Sequence, residues 1–192
     1  KGAEIVKEVN REVAKIIKIN PAARTTCVKP SGNASVLLQT ASGIHAEHSN
    51  MYIRNVQMNK ESEITQAIMK TNPYMVEDSV WSAGGTDVVV SFPILPKKGS
   101  MYKDDLLGVK HLELVKKAQK HWVEAGTNED LCADKGVRHN VSNTIIVDNW
   151  EEVEKYVFEN RHSFAGISFL AMTGDKDYNQ APNTAVITAK DM

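Results

Sequence analysis

Short β-branched runs alternate along the chain with segments of helical periodicity, and this alternation confines the fold to the α/β class. The spacing predicts a helix over Ala3 to Ile19, where Ile5, Val9, Val13, Ile16 and Ile17 recur three and four residues apart among charged residues and Pro21 closes the run. Thr25 to Val28 is a β-branched strand ending at Pro30, Ser31-Gly32-Asn33 is turn chemistry, and a helix begins before Val36-Leu37-Leu38. Tyr52 to Met58 alternates partly with period two, as a half-buried strand does, and Ser62 to Thr71 is helical. After the Gly84-Gly85 break, Asp87 to Pro93 carries the run Val88-Val89-Val90 of a strand buried on both faces. The longest periodic segment runs from Asp105 to Ala125, with Gly126 as its stop. Thr144 to Val147 is a strand, Trp150 to Asn160 a helix capped by Asp148 or Asn149, and Ala165 to Leu170 a further strand. The connections are long enough for crossover helices, so largely parallel strands are expected. No internal repeat or low-complexity linker interrupts them, and residues 1–192 are expected to form a single region.

Composition narrows the function classes. The chain has 192 residues, of which 42% are hydrophobic and 24% charged, a globular balance that argues against disorder. Its 23 basic and 24 acidic residues are spread along the chain, so nothing advertises nucleic acid as a ligand. The longest apolar stretches fall far short of the ~20 residues that span a bilayer, and no charged-then-apolar leader opens the sequence. No membrane association and a cytoplasmic location are the expectation. Cys27 and Cys132 are too few for a disulfide framework and lack the paired spacing of a zinc site.

The strongest local motif is Pro30-Ser31-Gly32-Asn33-Ala34-Ser35. Small residues between a strand and a helix start leave backbone N–H groups uncovered and converging, a geometry that attracts phosphate. Gly32 permits close approach or a positive φ, and Ser31, Asn33 and Ser35 add side-chain donors or cap the helix. The same spacing also suits an ordinary capped turn, and the second glycine and lysine of a Walker loop are missing. Gly43 to His48 brings His45, Glu47 and His48 close together, which fits a polar turn, a proton relay, or two ligands of a metal site that needs a third from elsewhere. Arg138 to Asn143 is a dense polar run of the kind that satisfies loop backbone, and Gly174 to Tyr178 is a solvated acidic loop with too few carboxylates for calcium. Trp81 to Asp87 joins an aromatic to a glycine hinge. Neither cysteine sits in a setting that marks a nucleophile.

Several runs together resemble one family. They are Arg24 to Ser35, Gly43-Ile44-His45, Tyr52 to Met58, Val76 to Thr86, Arg138 to Thr144 and Phe164 to Leu170. Their order and wording are similar to the later part of the catalytic barrel of adenosylcobalamin-dependent ribonucleoside-triphosphate reductases, and six runs in order are far more specific than any one. The resemblance implies a portion of a ten-stranded α/β barrel of the ribonucleotide reductase type, adenosylcobalamin as cofactor, and a thiyl radical that takes the 3′ hydrogen of a ribonucleotide. It also implies that Pro30, Ser31, Gly32, Asn33, Ala34 and Ser35 cradle the phosphates of a ribonucleoside di- or triphosphate substrate.

The departures are as informative. The family's radical cysteine lies in an Asn-Pro-Cys-Gly-Glu-type motif, and neither that motif nor the family's carboxy-terminal cysteine pair occurs here. No catalytic residue and no metal ligand is therefore assigned, and neither Cys27 nor Cys132 receives a redox role. The missing groups are expected from the remaining part of the barrel or a companion chain, with a thiol reductant system as a further partner. The competing readings are a non-catalytic phosphate-binding fragment and an assembly subunit that completes a partner barrel.

Overall fold

In a computed structural model, which describes residues 1–172 and 178–186 and only the backbone of Asn33, helices and strands are interspersed along the chain. Gly174 to Asp177 of the acidic loop lie outside the described residues. The contacts divide the chain into two units, unit 1 comprising Lys1–Ala46 and Lys103–Met172, and unit 2 comprising Glu47–Tyr102 and Thr173–Met192.

Unit 1 contains α1 (Gly2–Ile17), α2 (Asn33–Leu38), α4 (Gly108–Ala118), β4 (Ile145–Val147), α5 (Trp150–Glu159) and β5 (Phe169–Ala171). Helix α5 crosses over between β4 and β5, which pair in parallel with Ile145 opposite Phe169 and Val147 opposite Ala171. Its N-cap is Asn149, whose side chain accepts from the Glu152 amide at 3.3 Å. The core is formed by Leu112, Val115 and Val123 from the α4 region, Val141, Ile145 and Val147 from the strand region, and Val153 of α5. Full burial of each such side chain contributes roughly 1.5–3 kcal/mol.

The periodic segment predicted over Asp105 to Ala125 is one helical run in two geometries, because α4 widens into a π turn over Gln119–Glu124. Gly126 follows that turn, and a Cβ there would stand 1.9 Å from Thr26 Oγ1, which donates to the Trp122 carbonyl at 2.5 Å. The close approach explains why Thr25 to Val28 does not form the predicted regular strand. The Thr25 amide and hydroxyl both turn to the Gly126 carbonyl, leaving isolated bridges from Arg24 to Thr127 and from Val28 to Val141.

Helix α1 ends in a left-handed Lys18 and is amphipathic as predicted, but its apolar stripe faces outward. Ile5, Val9, Val13 and Ile17 are all exposed and Ile16 is 77% exposed, while Ala3 and Ala14 are buried. The helix docks through these small residues and through Arg11, whose guanidinium donates to Asn128 Oδ1 at 2.7 Å.

Unit 2 departs from the parallel arrangement expected for the whole chain. Its strands β1 (Tyr52–Asn59), β2 (Val76–Asp78), β3 (Asp87–Ile94) and β6 (Asn183–Ala185) form a sheet in the order β2-β3-β1-β6, every pairing antiparallel. The short β2 lies between helix α3 (Glu63–Thr71) and β3, and the connection from Asp78 to Asp87 is too short for a crossover, so the chain must reverse there. Val88, Val89 and Val90 are all buried, as the continuous apolar run predicted.

Candidate functional site

The Pro30 to Ser35 segment leaves the edge of unit 1's strand region. Val28 bridges Val141 in parallel, accepting from the Ser142 amide at 2.9 Å, and the chain then turns at Pro30 into α2. Gly32 has φ +52° and ψ −117°, a conformation that side-chain-bearing residues rarely adopt, and open space lies where its Cβ would be. Pro30, Ser31, Gly32 and Ala34 are exposed, whereas Ser35 is buried and donates from its hydroxyl to the Gly32 carbonyl at 2.9 Å. Two of the loop's amides are used internally. The Ser31 N–H donates to Ser42 Oγ at 3.0 Å and the Ala34 N–H to the Ser31 carbonyl at 3.2 Å.

A second turn, Ser42 to His45, braces the first. Gly43 has φ +64°, and a Cβ there would lie 3.1 Å from the Lys29 carbonyl oxygen, so the two backbones touch. His45 Nδ1 lies 3.0 Å from the Ser42 carbonyl, and its Nε2 receives the Thr144 amide at 3.1 Å. Beside it His111 of α4, 3% exposed, places Nε2 3.0 Å from the Ile44 carbonyl, and the two imidazoles meet edge to face at 5.8 Å. Burial holds the His111 imidazole below its ordinary pKa of 6.5; the bond to Ile44 works in the opposite direction and His45 adds to the lowering.

The polar run Arg138 to Asn143 satisfies backbone, as such residues usually do. Arg138 pairs with Glu129 and donates to neighbouring carbonyls, and His139 Nδ1 lies 3.1 Å from the Thr26 carbonyl. Asn143 Nδ2 donates to the carbonyls of Val141 at 2.7 Å and Gly166 at 3.1 Å, while its buried Oδ1 has no partner. Cys27 is exposed, and Cys132 is buried with its thiol 3.4 Å from the Asn128 carbonyl. Among the described residues no group of three or more His, Cys, Asp or Glu side chains converges as a metal site would. No helix among them is long and apolar enough to cross a membrane.

In unit 2, Tyr52 is buried beside Glu47, to which its hydroxyl donates at 3.1 Å, and beside Arg54, which donates to that hydroxyl at 3.0 Å. The hinge residue Trp81 meets Tyr178 edge to face at 5.8 Å and donates from its indole to the Asn179 carbonyl at 3.2 Å. Both line a cavity of about 530 Å³ together with Asn55, Gln57, Val89, Gln180 and Pro182.

The sequence singled out the loop and His45 as candidates, whereas the contacts of Ser42, Thr144 and His111 with them enter only with the structure. His111 left a signal, since it stands one residue before Leu112 and four before Val115 on the buried side of a helix, where an imidazole must find a partner. Ser42 and Thr144 left none.

No known protein-family profile matches the chain. It is similar to two relatives by sequence. A probable adenosylcobalamin-dependent ribonucleoside-triphosphate reductase of Dictyostelium discoideum is 28% identical over 123 residues, 64% of this chain and 16% of the relative. The adenosylcobalamin-dependent ribonucleoside-triphosphate reductase of Euglena gracilis is 23% identical over 188 residues, 96% of this chain and 24% of the relative. In fold, the chain matches the crystal structure of a B12-dependent (class II) ribonucleotide reductase with a TM-score of 0.75 at 17% identity, over 99% of this chain and 26% of that one. The chain is thus a relative, in sequence and in fold, of the adenosylcobalamin-dependent ribonucleoside-triphosphate reductases, and it spans about a quarter or less of their length.

Proposed function

We propose that residues 1–192 form the carboxy-side part of a ten-stranded reductase barrel and that Pro30, Ser31, Gly32, Asn33, Ala34 and Ser35 hold the phosphates of its ribonucleotide substrate. The complete enzyme converts ribonucleoside di- or triphosphates to deoxyribonucleotides by thiyl-radical chemistry, with adenosylcobalamin as cofactor and a thiol reductant in the cytoplasm. The observation that carries this reading is the fold match over nearly the whole chain, joined to a sequence likeness that runs through the loop. Gly32's positive φ and the open space at its Cβ position support a ligand approaching the backbone there.

Among the described residues, the side chains around the cavity beside Trp81 and Tyr178 do not by themselves build a cobalamin site. The cavity beside Trp81 and Tyr178, at about 530 Å³, has the room of a drug-sized ligand and far less than a corrin with its nucleotide arm requires. No step of cofactor chemistry is assigned to these side chains, and the radical cysteine belongs to the remaining barrel. The outward apolar stripe of α1 and the exposed Phe169 and Leu170 of β5 are where that remainder packs.

The test is a titration of the chain with a ribonucleoside triphosphate, followed by amide NMR. Shifts confined to Ser31 through Ser35, and lost on Gly32→Val while the rest of the spectrum persists, are the expected result. Shifts elsewhere with this loop silent would remove the phosphate assignment.

A further inference from the structure

The turn Ser42 to His45 is joined to the phosphate loop on one side and to the start of β4 on the other. His45 has one unambiguous partner at each nitrogen. A backbone carbonyl can only accept, so Nδ1 carries a hydrogen toward Ser42, and a backbone amide can only donate, so Nε2 is bare toward Thr144. The ring is therefore a neutral strut of fixed tautomer between Thr144, just ahead of β4, and Ser42. Ser42 in turn takes the Ser31 amide on its hydroxyl, and Gly43 lies against the Lys29 carbonyl. Among the described residues, the ionisable side chain in ring contact with His45 is His111 of α4, itself anchored to the Ile44 carbonyl within the same turn.

We propose that His45 is a positioning residue for the phosphate loop, fixing Ser31 and Gly32 relative to the strand region through Ser42. The inference rests on the phosphate-loop reading and adds a regulator to it. Protonation of His45 puts a hydrogen on Nε2 facing the Thr144 N–H, where two donors oppose each other, so the strut fails as the imidazole takes up a proton. His45 touches no phosphate in this scheme; it acts through the backbone that does.

The experiment follows the backbone amides of Thr144 and Ser31 from about pH 8 to pH 5, the span in which histidines change charge. Wild-type chain is compared with His45→Gln and His45→Ala, first without ligand and then with a ribonucleoside triphosphate. The ring signals of His45 and His111 report separately which imidazole the two amides follow. In the wild type, Thr144 and Ser31 are expected to move together with the His45 ring as pH falls. His45→Ala should weaken triphosphate binding about three- to tenfold, the worth of one hydrogen bond. In His45→Gln the side-chain carbonyl reaches the place of Nε2 and accepts from Thr144, while the backbone amide of position 45 still donates to the Ser42 carbonyl, so most of the binding at neutral pH returns and the Ser31 response to pH goes flat. A Ser31 amide indifferent to pH while Thr144 titrates, or wild-type affinity in His45→Ala, overturns the positioning role and leaves the phosphate loop intact. A wild-type chain whose loop ignores triphosphate overturns the phosphate reading instead, and the ligand-free coupling of Ser31 to Thr144 still decides whether the strut exists. Should the Ala variant fail to fold, the wild-type titration and the Gln variant decide alone.

Discussion

The two units solve the same burial problem differently. In unit 1 the paired strands run parallel and are joined by a helix, whereas in unit 2 every strand pair is antiparallel and β2 and β3 are joined by a turn. Antiparallel neighbours can be completed from adjacent sequence, as β2 and β3 are, and Val88, Val89 and Val90 of β3 are buried. A parallel layer depends on crossovers and on cover from distant sequence. Unit 1 leaves a whole helix stripe and an apolar edge strand exposed, which is the surface a larger barrel would cover. The loop proposed to hold substrate phosphates belongs to the unit that leaves these surfaces exposed.

The sharpest way to break that contrast is an activity assay. If unit 1 is a barrel segment without its complement, the 192-residue chain supplied with adenosylcobalamin and a thiol reductant forms no deoxynucleotide, and activity requires the missing segment. Radical transfer needs one cysteine at contact distance from the sugar, and reduction needs two more able to form a disulfide; two cysteines cannot fill three roles. Turnover by the lone chain that vanishes in Cys27→Ser or Cys132→Ser would show that the radical site had been misassigned. A smaller effect is expected at Gly126. Its Ala variant drives a methyl into Thr26 and should cost unit 1 about 2–3 kcal/mol. Hydrogen exchange should then quicken in α4 and β4 and much less in β1 and β3, and equal losses in both sets would erase the distinction between the units.

What was legible in the sequence follows the same division. Periodicity located α1, α3, α5 and the central strands β1 and β3 nearly to the residue, because each is long enough to show its period. Strand direction in unit 2 was not legible. Three residues, Val76-Glu77-Asp78, carry no period, yet their presence as β2 reverses the chain and makes the sheet antiparallel. Exposure was hidden too, since a hydrophobic stripe such as that on α1 says that something covers it and not that the cover lies within these residues. At the candidate site the glycine-marked loop was readable from its small residues. Its brace was not, because Ser42 and Thr144 act through one hydroxyl and one backbone amide.

A pH dependence sharpens the comparison further. His111 is buried in unit 1, and its folded pKa lies below the ordinary 6.5, chiefly through desolvation. The unfolded chain therefore takes up the proton first as pH falls. The contribution of neutral His111 to stability is complete above about pH 6.5 and declines as pH drops from there toward the folded pKa. Tyr52, buried in unit 2, is shifted the other way, its pKa raised above 10.0 mainly by burial. Its contribution is present below pH 10 and is lost as pH rises past that value. Urea midpoints should thus fall toward acid in the wild type, and the acid slope should shrink in His111→Asn. An unchanged slope in that variant would place the acid sensitivity elsewhere.

The smallest expected effect lies on the stripe of α1. Ile16 is 77% exposed, so Ile16→Lys removes little buried surface, and it sets a lysine four residues after Glu12 in the last turn of the helix, where a cation suits both the i,i+4 pairing and the helix dipole. The urea midpoint of the lone chain should correspond to a change within about 0.5 kcal/mol. Ala14→Lys, at a buried position on the opposite face, should cost about 2 kcal/mol or more, because a long charged side chain must displace packed neighbours. The same Ile16→Lys substitution in a full-length reductase meets different physics. If the remainder of the barrel covers this stripe, the lysine is buried there and both stability and activity fall. A change that is silent in the short chain and damaging in the long one identifies α1 as an internal helix of a larger fold; silence in both means that the stripe faces solvent in the complete protein, and the contrast drawn between the units then loses its strongest support.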